Sequence, residues 1–271
     1  IQEDYNNFSL YNIVNMHPAF GDLDGDGLAD LIVGDLTGEI HYFKNTGFSQ
    51  ANYPVMTAPK FKDIDVGMYS APFIYDVNND SLNDLVIGRR DGRVSYYWNF
   101  GTKTNPEFHI DSVNSNFGQI NVNIPGYNEG YSSPLLRRDS TGKLLLYTGS
   151  NQGNIFVYEV DSTKLRGGTF NLLNGNFIGS KAGYKTTISI ADLNGDGYRE
   201  FLMGTASGGL LLYSDSLWDT STLPIAVNEI PTVKPEIRVF PNPGKEVFNV
   251  VTSGRSNSNG SPSRTSTSSS A

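Results

Sequence analysis

The sequence predicts an all-β chain, a partial β-propeller of about four four-stranded blades, and three observations carry that prediction. Glycine pairs recur four residues apart, at Gly34/Gly38, Gly88/Gly92, Gly149/Gly153 and Gly204/Gly208. Each pair sits in the same order of pieces: an apolar strand, a polar loop, a second apolar strand ending in the first glycine, then an aromatic-rich strand. The first glycines are spaced 54, 61 and 55 residues apart, a blade-sized period. One such unit hides only a hairpin's worth of apolar surface, so it is stable only when stacked on its neighbours. The 29 Gly, 15 Tyr and 15 Phe favour short strands and tight turns over helix.

The second unit shows the elements in order. A first strand covers residues 72–75, an acidic loop 76–84, a second strand 85–87, a turn 88–92 and a third strand 93–98. A fourth strand is expected near Phe108, His109 and Ile110, with counterparts at residues 61–65 and 170–173. The paired glycines fit hairpin turns that need positive φ, which glycine adopts without steric cost. Phe8, Ser9, Leu10 and Tyr11 read as the outer strand of an earlier blade. The last unit, ending near Tyr213, shows no outer strand, so further blades on the N-terminal side are expected.

The propeller repeats are thus expected over residues 1–215. Residues 216–235, with Pro224, Pro231 and Pro235, read as an extended linker. The Ser/Thr/Asn-rich residues 253–271 lack the apolar content for a core and are expected to be disordered.

A net charge of −8 argues against a positive field for nucleic acid or anionic membrane, and makes divalent cations the natural guests. The absence of cysteine removes disulfides, thiolate metal sites and cysteine nucleophiles. No apolar run approaches the roughly 18 residues of a membrane span. The opening at Ile1, with neither Met nor signal peptide, reads as a cut.

The acidic loops carry the chemistry. The first places Asp22, Asp24, Asp26 and Asp30 at its positions 1, 3, 5 and 9, with Leu28 offering a backbone carbonyl at position 7. Ca²⁺ takes about six to eight oxygens, and alternate side chains of a tight loop converge on such an ion. Gly27 permits the sharp turn at position 6. The second loop supplies Asp76, Asn78, Asp80 and Asp84, with the Leu82 carbonyl. The last supplies Asp192, Asn194, Asp196 and Glu200, with the Tyr198 carbonyl. The third unit has Asp139, Ser140, Thr141, Gly142 and Lys143 instead, an ordinary turn without a calcium set. Ser81 replaces glycine at position 6 of the second loop, where positive φ costs a side chain about 1 kcal/mol. By carboxylate count the first loop is expected to bind most tightly. At a Kd of about 0.1 mM and about 1 mM Ca²⁺, each site adds roughly 1.4 kcal/mol of stability.

The ninth residue of each loop runs directly into a strand such as Leu31-Ile32-Val33-Gly34, where an EF-hand loop feeds a helix. Over roughly residues 8–215 the pattern Asp-x-Asp/Asn-x-Asp-Gly-x-x-Asp followed by Leu-Ile/Val-x-Gly resembles the FG-GAP/VCBS repeat, the calcium-binding blade of integrin α-subunit propellers and many bacterial secreted proteins. The segment Ile237-Arg238-Val239-Phe240-Pro241-Asn242-Pro243-Gly244, with Val247 to Val250, is similar to the opening of the C-terminal sorting domain of the Bacteroidetes type IX secretion system. That resemblance implies a truncated sorting domain over residues 236–252 that engages the export machinery.

No site for catalysis stands out. His17, His41 and His109 have no partner at zinc spacing, no Gly-x-Ser-x-Gly elbow occurs, and the carboxylates are committed to the loops. Tyr42, Phe43, Tyr96, Tyr97 and Trp98 are expected between blades, and Arg89, Arg90, Arg137 and Arg138 in solvent. The expectation is therefore a secreted or cell-surface, calcium-binding binding or adhesion module for a protein or glycan ligand, without catalysis of its own. The rival reading is the propeller portion of a polysaccharide-degrading enzyme.

Overall fold

A computed structural model describes residues 8, 10–47, 55–127, 129–177, 179, 183–193, 199–215 and 236–239. It is all-β, with four antiparallel sheets in chain order. The first blade holds β1 (His17–Gly21), β2 (Asp30–Gly34), β3 (Ile40–Lys44) and β4 (Val55–Ala58). The second holds β5 (Ala71–Tyr75), β6 (Asp84–Gly88) and β7 (Val94–Tyr97). The third holds β8 (Ser133–Arg138), β9 (Leu144–Gly149), β10 (Phe156–Glu159) and β11 (Asn171–Asn174). The fourth holds β12 (Thr187–Ala191), β13 (Arg199–Gly204), β14 (Leu210–Asp215) and β15 (Glu236–Val239). Strands are adjacent in sequence order and the first strands of successive blades adjoin, which is the meander of a propeller.

After position 9, the second strands are apolar up to their closing glycine or nearly so, and β2, β6 and β9 are buried along their whole length. Ile32 packs with Ile74, Leu85 and Ile87 between blades one and two. Val86 packs with Leu136 and Leu146 between blades two and three, and Leu145 and Tyr147 meet Phe201 and Met203 between blades three and four. The aromatic third strands fill the same spaces through Tyr96, fully buried, and Tyr42 and Tyr97, nearly so, while Phe43, also fully buried, lies on the other face of blade one.

The outer strand expected at residues 170–173 is present as β11, and the other outer strands depart from expectation. Residues 108–110 form no strand; blade two closes instead through a bridge between Tyr96 and Asn114, and Ile110–Ser112 is a short 3-10 turn. Phe61–Asp63 is also a 3-10 turn, and the outer strand of blade one is β4, ahead of it. Phe8 and Tyr11 do not form an earlier blade's strand. They stack on Phe43, with centroids 5.1 and 5.7 Å away, and with Ile13 cover the face of blade one that points away from blade two. Blade four does have an outer strand: β15 pairs Ile237 with Tyr213, which puts the start of the segment resembling a sorting domain into the sheet. The rest of that segment, the linker and the tail lie outside the described residues.

The two glycines of each pair do different work. Only the second has positive φ, 96° at Gly38, 82° at Gly92 and 88° at Gly153. The first is a close approach: a Cβ on Gly34, Gly88 or Gly149 would overlap the backbone carbonyl of Ser70, Ser132 or Thr186, the residue entering the next blade. That residue's hydroxyl completes the contact. Ser132 Oγ accepts from Arg89 N at 2.8 Å and donates to Arg93 O at 2.6 Å; Ser70 does the same for Asp35 N and Glu39 O. Thr186 Oγ1 accepts from Ser150 N.

Candidate metal centre

In the first loop, Asp22, Asp24 and Asp30 bring ligand oxygens within 4.8 Å of one another. Position 9 is the anchor of this arrangement. Asp30 enters β2 fully buried, with Oδ2 accepting from Leu23 N and the Tyr42 hydroxyl and Oδ1 from Asn45 N. Asp84 repeats every contact in blade two, with Val77 N, the Tyr96 hydroxyl at 2.7 Å and Asn99 N. One carboxylate thereby ties the loop's start to the third strand and to the turn beyond it. Burial pushes the Asp30 carboxyl above its ordinary value and Asp84 to about 6, opposed by these hydrogen bonds. Burial beside the carboxylates likewise raises Tyr42 and Tyr96, keeping them as donors. Glu200 holds the last loop alike, accepting from Leu193 N at 2.7 Å.

The carboxylate contacts give Tyr42 and Tyr96 a role beyond the expected packing between blades and add Asn45 and Asn99, and for the tyrosine a signal exists in the sequence. It stands four residues after the second glycine as Tyr42 and Tyr96. In the third unit, where Leu145 replaces the acid, Val157 replaces the tyrosine, and both are buried in the apolar core.

The rest of the loop folds around its own amides. Asp22 Oδ2 accepts from Gly27 N, Asp24 Oδ1 from Asp26 N and Asp26 Oδ1 from Leu28 N. Asp76, Asn78 and Asp80 accept in the same manner from Ser81, Asp80 and Leu82 amides. Position 6 takes the left-handed conformation in both loops, Gly27 at φ 88° and Ser81 at φ 70°, as the turn demands. The loops of neighbouring blades touch, Asn83 Nδ2 donating to the Asp22 carbonyl at 2.6 Å. Asp192 begins the last loop, while Asn194, Asp196 and Tyr198 lie outside the described residues. In the third unit Asp139 Oδ1 accepts from Thr141 N and Lys143 N, an ordinary turn.

The donor set fits a hard divalent cation. It is all oxygen, three carboxylates converge, and Asp22 Oδ1 is buried with no hydrogen-bond partner among the described residues. Asp30 has only limited acceptor capacity left after three protein donors, so Asp22 and Asp24 would carry most of the coordination, and the expected ligand Asp26 lies outside this group of three.

A second cluster, Asp35, Glu39 and His41, lies in the β2–β3 turn. Asp35 Oδ1 accepts from Thr37 Oγ1, Gly38 N and Glu39 N, and Oδ2 lies 3.1 Å from His41 Nε2, while Lys60 pairs with Glu39. These bonds close the hairpin. Arg89 and Arg90 are not free in solvent, since Arg89 pairs with Asp91 at 2.6 Å and Arg90 with Glu129, whereas Arg138 is exposed.

No protein-family model matches the chain, and no curated protein does. Among solved structures, BBS1N in complex with ARL6DN is similar with a TM-score of 0.36 and 15% identity, over 74% of this chain and 55% of that one. An engineered GH43 glycoside hydrolase with endo-xylanase and exo-arabinofuranosidase activity is similar with a TM-score of 0.37 and 10% identity, over 85% of this chain and 42% of that one. The chain spans about half the length of the solved chains it matches. The expectation of a chain without catalysis is corrected here: a glycoside hydrolase stands among the similar solved chains, at 10% identity and a TM-score of 0.37, which assigns this chain neither catalysis nor its absence. No helix among the described residues is long and apolar enough to cross a membrane.

Proposed function

We propose that the chain is a calcium-binding propeller segment of a secreted or cell-surface protein, whose inter-strand loops present a binding or adhesion surface to an extracellular protein or glycan. The observation that carries it is the convergence of ligand oxygens of Asp22, Asp24 and Asp30, together with a buried Asp22 Oδ1 that has no partner among the described residues. Calcium bound there would neutralise the carboxylates and brace the loop that joins β1 to β2, a stabilising role that requires surroundings with about millimolar calcium. Loops held by rigid blades are where recognition residues are carried.

Calorimetric titration of the chain with Ca²⁺ tests the metal reading. Heat of binding is expected, reduced by one site in a chain carrying Asp22→Asn and Asp24→Asn; no heat in the parent chain ends the proposal. Glycan-array retention that disappears with a chelator is the expected signature of the recognition surface if the ligand is a glycan. The export reading predicts that residues 236–271 carry a fused reporter to the surface of a type IX secreting bacterium, and a reporter left in the periplasm counts against it.

A further inference from the structure

In the first three blades, one residue at or just past the end of the third strand lies beside the blade's own loop, across from position 9. In blade one that residue is Lys44, and its ammonium group pairs with Asp24 Oδ2 and lies 3.5 Å from Asp26 Oδ2. Blade three has the reverse arrangement at the same register, since Glu159 pairs with Leu145 across the strands as Lys44 stands across from Asp30. There the loop carries the cation, and Lys143 Nζ sits 2.8 Å from Glu159 Oε1. Blade two has neither charge, because the position is Trp98, stacked against Tyr96 at 4.5 Å. The position therefore answers the charge of its own loop in two blades, with opposite signs, and is neutral in the third.

We propose that Lys44 is a tethered counter-cation of the first loop, which competes with a divalent ion for Asp24 and Asp26 and is displaced when that ion binds. The inference rests on the calcium reading of this loop. The ammonium group supplies one positive charge among four carboxylates, Asp22, Asp24, Asp26 and Asp30, and limits their repulsion when calcium is low. Coordination of Asp24 Oδ2 by calcium requires that same oxygen, so loading includes the cost of breaking the pair. The first loop then fills at a higher calcium concentration than its carboxylate count alone gives, offsetting the advantage of four acids over the three of the second loop.

The test is a calcium titration of the intact chain followed by the amide resonances of Gly25 and Gly27, which report the first loop alone. Lys44→Met keeps the length of the side chain without the charge, and Lys44→Arg keeps the charge. The midpoint in Lys44→Met is expected at about fivefold lower calcium, the equivalent of about 1 kcal/mol for a partly exposed pair, with Lys44→Arg near the parent. Thermal unfolding should move in opposite directions, with Lys44→Met less stable than the parent in a chelator and gaining more on calcium addition. A merely structural ion pair would lower stability in chelator and leave the midpoint where it was. Equal midpoints in all three chains overturn the proposal while leaving the calcium site standing. Glycine resonances that ignore calcium in every chain remove the calcium reading of this loop and the proposal with it.

Discussion

Asp30 and Asp84 each accept two backbone amides and a tyrosine hydroxyl from inside the fold. A hydroxyl donating to a buried carboxylate contributes about 1.5–3 kcal/mol, more than a neutral pair, because the charge has no solvent to fall back on. Tyr42→Phe and Tyr96→Phe are each expected to destabilise the chain by about 2 kcal/mol in urea unfolding, and a change below a few tenths would show that the hydroxyl is dispensable. His17 gives a second reading at this scale. It stacks on Tyr69 at 4.5 Å, and burial, with the Lys185 ammonium nearby, lowers its pKa to about 4. The folded state thus holds a neutral imidazole, while the unfolded chain takes a proton below its ordinary 6.5. Between about pH 6.5 and 4 the unfolded state binds more protons, so this residue's contribution to stability falls as the pH falls, by about 3 kcal/mol in all. His17→Gln should flatten the corresponding slope of stability against pH in chelator, and an unchanged slope would assign it elsewhere.

At the scale of elements, neighbouring blades meet at a backbone approach closed by a hydroxyl. Gly88 lies against the Ser132 carbonyl, and Ser132 Oγ satisfies Arg89 N and Arg93 O. Removing the hydroxyl leaves a buried amide and a carbonyl short of partners, at about 1–3 kcal/mol. Ser132→Ala is therefore expected to lower stability by about 2 kcal/mol without altering the fold. Gly88→Ala forces two backbones apart, and it should abolish cooperative unfolding or cost more than 3 kcal/mol, as overpacking does at its worst. The contrast with Gly204 is a control, because its nearest neighbour is the Thr187 hydroxyl at 3.0 Å and no carbonyl of a following blade. Gly204→Ala should be the mildest of the first-glycine replacements, and comparable losses at both positions would refute the close-approach account.

For the whole molecule, the blades form an array whose first face is capped by the chain's own N-terminal segment. Phe8, Tyr11 and Ile13 cover Phe43, Leu31 and Val33, so blade one is buried on both sides. Stability in such an array is shared between each unit and its neighbour contacts. Phe8→Ala combined with Tyr11→Ala should expose this face, raise hydrogen exchange in β2 and β3 selectively, and leave β9 and β10 protected. Exchange that rises equally in all blades would mean that the array behaves as one unit and that the cap is not local.

The sequence by itself determined the blade period, the identity of the second strands and the position of the acidic loops. These features are local: a loop's carboxylates, its turn glycine and the strand that follows lie within a dozen residues, where spacing and side-chain chemistry decide the outcome. The tertiary structure decided what depends on a neighbour distant in sequence. It made Gly34, Gly88 and Gly149 contact residues of the next blade and gave Ser70, Ser132 and Thr186 a common purpose. It turned Phe8 and Tyr11 from members of an expected strand into a cap, and moved the outer strand of blade one to β4. It also brought Lys44 to Asp24 across 20 positions of chain. Composition and period cannot register such pairings, because packing between blades selects them by shape and charge in space.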